Sequence, residues 1–174
     1  MSHLKVAYVI NDASFFVSHR LPIALKVMKK GGEVCLISGI NHNADLEKKA
    51  IQRLKEEGIQ HYLCKFSQGF KNPLIEFYGI LQVVFYLKSF KPTTVHSATA
   101  KANLVSAIAC NFSKQKKLIL SISGMGTMFI GKQKFKKKIF KIFFKFLIKL
   151  ALKNIKFDFI FQNKEDYQNY KSIL

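Results

Sequence analysis

Residues 4–38 read LKVAYVINDASFFVSHRLPIALKVMKKGGEVCLIS. Two short apolar runs, Leu4–Ile10 and Glu33–Ser38, flank a segment with helix signals around Pro22 that end at Gly31-Gly32. The polar stretch Asn11–Ser18 is predicted to be a loop. Because short apolar runs joined by a helix are typical of a βαβ unit, this stretch predicts two buried parallel strands.

The same alternation continues to the end of the chain. Further strands are predicted at 59–63, 93–96, 117–122 and 157–161, and further helices at 45–57, 72–90, 99–112, 132–153 and from 164 onward. Six apolar runs separated by helices predict an α/β fold: a Rossmann-like, doubly wound, mostly parallel sheet of about six strands with helices on both faces. Ligands of such sheets bind outside the carboxyl ends of the strands.

Length and charge narrow the possible functions. The 174 residues fit a single domain, 1–174. The formal net charge of +19 favours contact with polyanions, but only two of the 29 basic residues, Arg20 and Arg53, are arginine. Because arginine is the usual reader of guanine, we expect no specific nucleic-acid binding. A codon preference for lysine is the alternative source of the charge.

Several kinds of site are not expected. Cys35, Cys64 and Cys110 stand far apart and are predicted to be reduced core thiols, with no metal site. Residues 1–10 lack the apolar region and cleavage site typical of a signal peptide, and no uncharged apolar stretch reaches transmembrane length, so we expect neither a signal peptide nor a transmembrane helix. The first loop contains no glycine, so the dinucleotide-binding fingerprint is missing, and neither a P-loop nor a G-x-S-x-G elbow occurs. We therefore expect no cofactor.

Polar residues at the predicted carboxyl edge of the sheet are candidates for ligand binding. Helix N-termini with nearby hydroxyl, imidazole and cationic groups can bind phosphates or sugar hydroxyls. Simple helix capping, packing or a tight turn would explain the same residues. The candidates are His19, Arg20, His96, Ser97, Thr99, Lys101, Ser123, Gly124 and Gly126.

A basic helix is the most distinctive feature of the sequence. Residues 132–156 contain ten lysines and no acid. The lysines predicted to share one face and contact an anionic membrane surface are Lys134, Lys138, Lys141, Lys145 and Lys149. The alternative is a solvated face above an apolar core stripe.

Several short motifs together resemble one family. They are Phe16–Leu25 with Gly32-Glu33-Val34, Phe66-Ser67 with Asn72-Pro73-Leu74, Lys91-Pro92 with Val95-His96-Ser97 and Lys101-Ala102, Ser123–Gly126 with Phe129, and Phe161-Gln162-Asn163. In this order they resemble the N-terminal, acceptor-binding domain of family-four glycosyltransferases, which is one lobe of the GT-B architecture. The chain departs from the family at Ser123, where many members have histidine.

The resemblance implies binding of a polyprenyl-phosphate-linked sugar acceptor at the inner face of the cytoplasmic membrane. Its nearest members in style build capsule, lipopolysaccharide or other glycans. It also implies that the donor-binding domain is absent here, so that the isolated chain is inactive. The chain would then be either a truncated gene product or a half-enzyme with a separate donor-binding subunit.

Two other functions stay open at this point. One is a non-enzymatic, basic, membrane-associated adaptor on a Rossmann-like domain. The other is a nucleotide-sugar epimerase or dehydrogenase, which the missing glycine fingerprint disfavours. In the transferase and adaptor interpretations we expect a cytoplasmic protein, peripheral at the inner face of the cytoplasmic membrane.

Overall fold

The computed structural model describes residues 3–66, 72–122 and 148–171. The strands are β1 Lys5–Ile10, β2 Glu33–Ser38, β3 Gln60–Leu63, β4 Thr94–Ala98, β5 Lys117–Ile122 and β6 Lys156–Phe161. The helices are α1 Ala13–His19, α2 Leu21–Lys29, α3 Ala44–Glu56, α4 Pro73–Phe90, α5 Ala100–Ser113 and α6 Lys164–Lys171, and residues 148–152 are also helical.

These six strands form one parallel sheet in the order β3-β2-β1-β4-β5-β6. At its centre Tyr8 of β1 lies beside Leu36 of β2 and His96 of β4. The strand order reverses between β1 and β4, because successive strands extend to one side first and then to the other. This arrangement confirms the predicted Rossmann-like, doubly wound sheet.

The apolar core has a layer on each face of the sheet. On one face Tyr8, Leu36 and other strand residues pack against α1, α2 and α3. On the other face Val9, Ile37 and their neighbours pack against α4, α5 and residues 148–155. Alternate residues of each central strand thus enter different layers, and helices on both faces remove the apolar strands from water.

Helix α1 corrects one prediction, since a loop was expected over residues 11–18. Asp12 caps this helix by accepting hydrogen bonds from the Phe15 backbone N–H at 2.8 Å and from Ser14 Oγ at 2.7 Å. Glu47 of α3 also accepts from the backbone N–H groups of Ala13 at 3.0 Å and Ser14 at 3.2 Å. Four backbone donors need partners at a helix start, and a residue distant in the chain satisfies two of them.

The three cysteines are free and buried, as predicted for core thiols. Burial raises the pKa of Cys64 and of Cys110 to about 12, so both thiols are protonated at neutral pH. In the described parts of the chain, no helix combines the length and the apolar character that crossing a bilayer requires.

Candidate functional site

The candidate site lies at the carboxyl ends of β1, β4 and β5, where the strand order reverses. In open α/β sheets this is the position of the ligand crevice. Asn11 and Asp12 follow β1, and Thr99 follows β4. The topology therefore brings together several residues that were predicted from separate loops.

His96 lies in the buried part of the site and is 6% exposed. Its Nε2 is 2.7 Å from Ser121 Oγ, and its ring centroid is 5.1 Å from that of Tyr8. Burial lowers the pKa of His96 to about 4, and the positive charge of Arg20 acts in the same direction. His96 is therefore neutral at neutral pH and offers hydrogen bonding rather than charge.

Arg20 lies at the junction of α1 and α2 and is 7% exposed. Its backbone N–H donates to Phe16 O at 2.8 Å, and its carbonyl accepts from Ala24 N at 3.0 Å. Its side chain interacts electrostatically with Tyr8 and His96. The two helices thus hold the guanidinium beside the buried end of the site.

The structure places His19 elsewhere, on the exposed end of α1. Its ring stacks on Phe15 with centroids 4.3 Å apart, and its Nδ1 lies 2.6 Å from Ser18 Oγ. These local contacts occupy the side chain on its own helix. His19 as an acceptor contact stays a prediction.

Ser97 is fully buried and faces the opposite layer from His96. Its Oγ donates to Asn103 Oδ1 at 2.6 Å, and Asn103 Nδ2 donates to the Ser121 carbonyl at 3.1 Å. Asn103 was not among the predicted residues, although an amide inside the apolar helix α5 is the signal that marks it. This network ties β4, β5 and α5 together below the site.

Thr99 has a backbone conformation that residues with a side chain rarely adopt, with φ 83° and ψ 149°. Its carbonyl accepts from the Asn103 N–H at 2.9 Å, and its hydroxyl accepts from the Ala102 N–H at 3.5 Å. Thr99 is thus the N-cap of α5, which was the capping alternative. Such backbone strain is concentrated at functional sites in proteins.

Lys101 forms a buried ion pair with Glu76 from the first turn of α4. Its Nζ donates to Glu76 Oε1 at 2.6 Å, and the two side chains are 6% and 11% exposed. Sequence analysis did not identify Glu76. The pair neutralises the charge predicted for acceptor binding and links α4 to the site.

The remaining predicted residues fall largely on parts of the chain that are not described. Lys149 lies in the helical segment 148–152 and is exposed. The predicted residues outside the described ranges are Ser123, Gly124, Gly126, Lys134, Lys138, Lys141 and Lys145. Among the described residues, no group of three or more His, Cys, Asp or Glu could hold a metal ion.

Comparison with known proteins gives a family match over nearly the whole chain. The model of the family described as glycosyl transferase 4-like matches residues 5–163. Among curated proteins, none matches the sequence.

Solved structures share the fold at low sequence identity. A protein assigned as a UDP-N-acetylglucosamine 2-epimerase from Listeria monocytogenes is 13% identical with a TM-score of 0.65, covering 99% of this chain and 43% of its own. A glycosyltransferase from Rickettsia africae is 14% identical with a TM-score of 0.63, covering 98% and 39%. MurG from Acinetobacter baumannii is 13% identical with a TM-score of 0.52, covering 68% and 35%. The chain thus spans about two fifths of the length of the first two.

Proposed function

The chain belongs to the glycosyl transferase 4-like family, and we propose that it is the N-terminal, acceptor-binding half of a glycosyltransferase of cell-surface glycan assembly. The observation that carries this proposal is the family match over residues 5–163. The buried polar cluster of Tyr8, Arg20, His96 and Ser121 at the reversal of the strand order supports it, since ligands of this fold bind there.

The acceptor that we propose is a sugar linked to a polyprenyl phosphate. The hydroxyl, imidazole and guanidinium groups at the site suit sugar hydroxyls and phosphate oxygens. The candidate contacts in the described part of the chain are His19, Arg20, His96, Thr99 and Lys101, whereas Ser97 supports the site from below through its hydrogen bond to Asn103. Arg20 and His96 have the strongest support because they share one buried cluster.

Transfer also requires a donor site. A transferase that uses a nucleotide sugar needs cations or helix N-termini opposite the acceptor to stabilise the departing diphosphate. This chain spans 43% and 39% of two similar structures. We therefore propose that it forms one wall of the cleft, that a donor-binding lobe or subunit forms the other, and that the 174-residue chain alone is inactive.

A membrane surface is the proposed location, and the outer face of α4 supports it. Large apolar side chains along this face are well exposed, among them Leu74, Phe77, Leu81 and Phe85 at 78%, 61%, 48% and 66%. We name this set the α4 apolar stripe. Its spacing of three to four residues places it along one side of the helix.

Charge around the α4 apolar stripe favours anionic lipid as its partner. The one acid of α4, Glu76, is buried against Lys101 on the inner side. Lys88 lies on the same helix, and Lys65 Nζ is 5.7 Å from the centroid of the neighbouring Tyr78 ring. Apolar side chains flanked by cations suit a helix that lies in the headgroup region of a bilayer.

The stripe begins at the same edge of the sheet as the candidate site. Helix α4 follows β3, so its first turn lies at the carboxyl edge, where Glu76 meets Lys101 of α5. A bilayer against the stripe would therefore bring a lipid-linked sugar close to His96 and Arg20. This proximity favours a membrane-bound acceptor over a freely soluble one.

Loss of the gene in its host is the direct test of the proposed function. We expect one lipid-linked glycan intermediate to disappear and the next shorter one to accumulate, as measured by mass spectrometry of extracted lipids. Restoring the gene with both His96→Ala and Lys101→Met should not restore assembly, whereas an Arg53→Gln gene should. An unchanged glycan profile on deletion contradicts the proposal. Full assembly with the double variant, together with retained membrane binding, favours the adaptor function instead.

A further inference from the structure

Arg20 is a buried cation for which the described part of the chain supplies no carboxylate. The residue is 7% exposed. Its Nη1 donates to the neighbouring His19 carbonyl at 3.1 Å, while its Nε has no hydrogen-bond partner within the described residues. The ion pairs described in the structure involve other cations: His3, Lys5, Arg53, Lys101 and Lys117.

Two carboxylates at the start of α1 are directed to other groups. Asp12 accepts from the Phe15 N–H and from Ser14 Oγ, and Glu47 accepts from the N–H groups of Ala13 and Ser14. They satisfy the first turn of α1. The protein's own carboxylates therefore bind the N-terminus of α1. None of the ion pairs described in the structure involves Arg20.

Among the described residues, the two titratable side chains that interact electrostatically with Arg20, Tyr8 and His96, are neutral at neutral pH. Burial raises the pKa of Tyr8 to about 12, and burial together with Arg20 lowers the pKa of His96 to about 4. At neutral pH Arg20 is thus the one charged member of this trio. A buried charge without a counter-charge destabilises a folded protein. Its presence in this crevice points to an anion that arrives with the substrate.

We propose that Arg20 is the receptor for a phosphate or diphosphate group of the substrate, with the neutral His96–Ser121 pair beside it. The planar guanidinium can donate two parallel hydrogen bonds to phosphate oxygens, which lysine cannot do. This inference rests on the proposed function, because it takes the crevice between β1 and β4 as the substrate site. The phosphate could belong to a lipid-linked acceptor or to a nucleotide sugar.

If Arg20 binds a phosphate group, its charge should stabilise the complex but destabilise the ligand-free protein. Arg20→Met removes the uncompensated charge but keeps much of the apolar stem, so we expect the ligand-free variant to melt at a higher temperature than the wild type. Arg53 is the matched control. It is the only other arginine and forms exposed ion pairs with Glu56 and Glu57 on α3. We expect Arg53→Met to melt at or slightly below the wild-type temperature.

The test is calorimetric titration of the purified chain with geranyl diphosphate, with uridine diphosphate and with inorganic pyrophosphate. We expect the wild type and Arg53→Met to bind at least one probe equally. For Arg20→Met, and for Arg20→Lys as a charge-retaining variant, we expect Kd to rise at least about tenfold. Binding of geranyl diphosphate but not uridine diphosphate identifies the lipid-linked acceptor as the source of the phosphate, and the reverse identifies the nucleotide.

Other results would overturn the proposal. It fails if no probe binds the wild type, or if the Arg20 variants that retain native circular dichroism bind as the wild type does. It also fails if Arg20→Met melts below both the wild type and Arg53→Met, because Arg20 would then be compensated within the protein. The assay requires no sugar transfer. Arg20-dependent binding combined with normal glycan assembly in a deletion strain would support the phosphate site and contradict the transferase function separately.

Discussion

Thr99 combines a strained backbone with a weak cap. Its φ of 83° lies in a region that glycine adopts freely, and its capping hydrogen bond is long at 3.5 Å. We expect Thr99→Gly to raise the free energy of unfolding by about 1 kcal/mol, because relief of strain outweighs the lost cap. Urea denaturation followed by circular dichroism measures this change. Thr99→Ser, which keeps the hydroxyl and the strain, is the control, and a glycine variant less stable than the serine variant contradicts the argument.

The lowered pKa of His96 predicts that the folded protein loses stability in mild acid. Its pKa in the folded protein is about 4, below the ordinary value of 6.5. The unfolded chain therefore binds a proton that the folded chain excludes. The contribution of His96 to stability is present above about pH 6.5 and falls as the pH drops towards 4, by about 3 kcal/mol in all.

A matched variant isolates this effect. Burial lowers the pKa of His61 as well, and the hydrogen bond from Lys5 lowers the pKa of Glu33, so groups other than His96 also reduce the stability of the wild-type protein in acid. We expect His96→Gln to lose less stability than the wild type between pH 7 and pH 4.5, measured by urea denaturation at each pH. If the free energy of unfolding falls with pH equally in both proteins, burial does not hinder the protonation of His96, and the prediction is wrong.

Single residues also show why the candidate site could be predicted only in part. Arg20 was predicted from its place at the start of the first predicted helix, and His96 from its place where the fourth predicted strand meets a helix. The fold brings the two to the same buried cluster. Glu76 and Asn103 were missed because their roles depend on partners on other elements. The chain spacing between Glu76 and Lys101 carries no sign of their contact.

For the secondary-structure elements, the prediction concerns binding of helix α4 to membranes. We expect the chain to float with vesicles that contain anionic phosphatidylglycerol, and Phe77→Ser with Phe85→Ser to reduce the bound fraction at least about threefold, since each phenylalanine contributes buried apolar area. Phe112→Ser is the control, because Phe112 is 68% exposed but lies on α5. Equal loss in both variants would show that exposed phenylalanines act non-specifically.

The vesicle assay also separates the two proposed membrane contacts. Changing Lys138, Lys141, Lys145 and Lys149 to glutamine removes charge from the predicted basic helix and leaves the α4 apolar stripe intact. We expect weaker binding that depends less on salt. Unchanged binding at moderate salt would rule out a role for the lysines, and binding by all variants to neutral vesicles would contradict selection for anionic lipid.

Elements differ in how well local sequence predicts them. Strands β2 and β5 have their predicted bounds, because short apolar runs of β-forming residues define buried strands locally. Helix α1 was missed, since Glu47 of α3 completes its N-terminus from far along the chain. The exposed side of α4 was also not predicted, because a helix that is apolar all round is usually buried.

For the whole molecule, the prediction concerns sugar transfer by the 174-residue chain alone. If the half-enzyme proposal holds, the purified 174-residue chain should form no product from nucleotide sugars and a polyprenyl-diphosphate sugar, because stabilising the departing diphosphate would require a second lobe or subunit. Radiolabel transfer to the lipid phase measures this, with a family member that contains both lobes as the positive control. Turnover by the isolated chain above the level of a heat-denatured sample would contradict the half-enzyme proposal.

The family and the fold were predicted correctly at this scale. Six apolar runs alternating with helices allow few topologies once crossovers are right-handed, and the ordered motifs narrowed them to one family. The family match over residues 5–163 confirms that resemblance. The acceptor and its sugar could not be predicted from the sequence in this way. Proteins of one fold bind many different substrates, and specificity depends on a few side chains.

The place of β4 beside β1 has a consequence for biosynthesis. The Lys5 backbone N–H donates a hydrogen bond to Thr93 Oγ1 next to the start of the β1–β4 pairing, and the two residues lie 88 positions apart in the chain. At about 5 to 20 residues per second, a ribosome needs roughly 4 to 18 s to make the intervening segment. During that time the β1–β2–β3 portion exposes the open edge of its most apolar strand. An unpaired apolar edge favours pairing with other chains, so we expect the nascent chain to be most prone to aggregation until β4 emerges and closes the centre of the sheet.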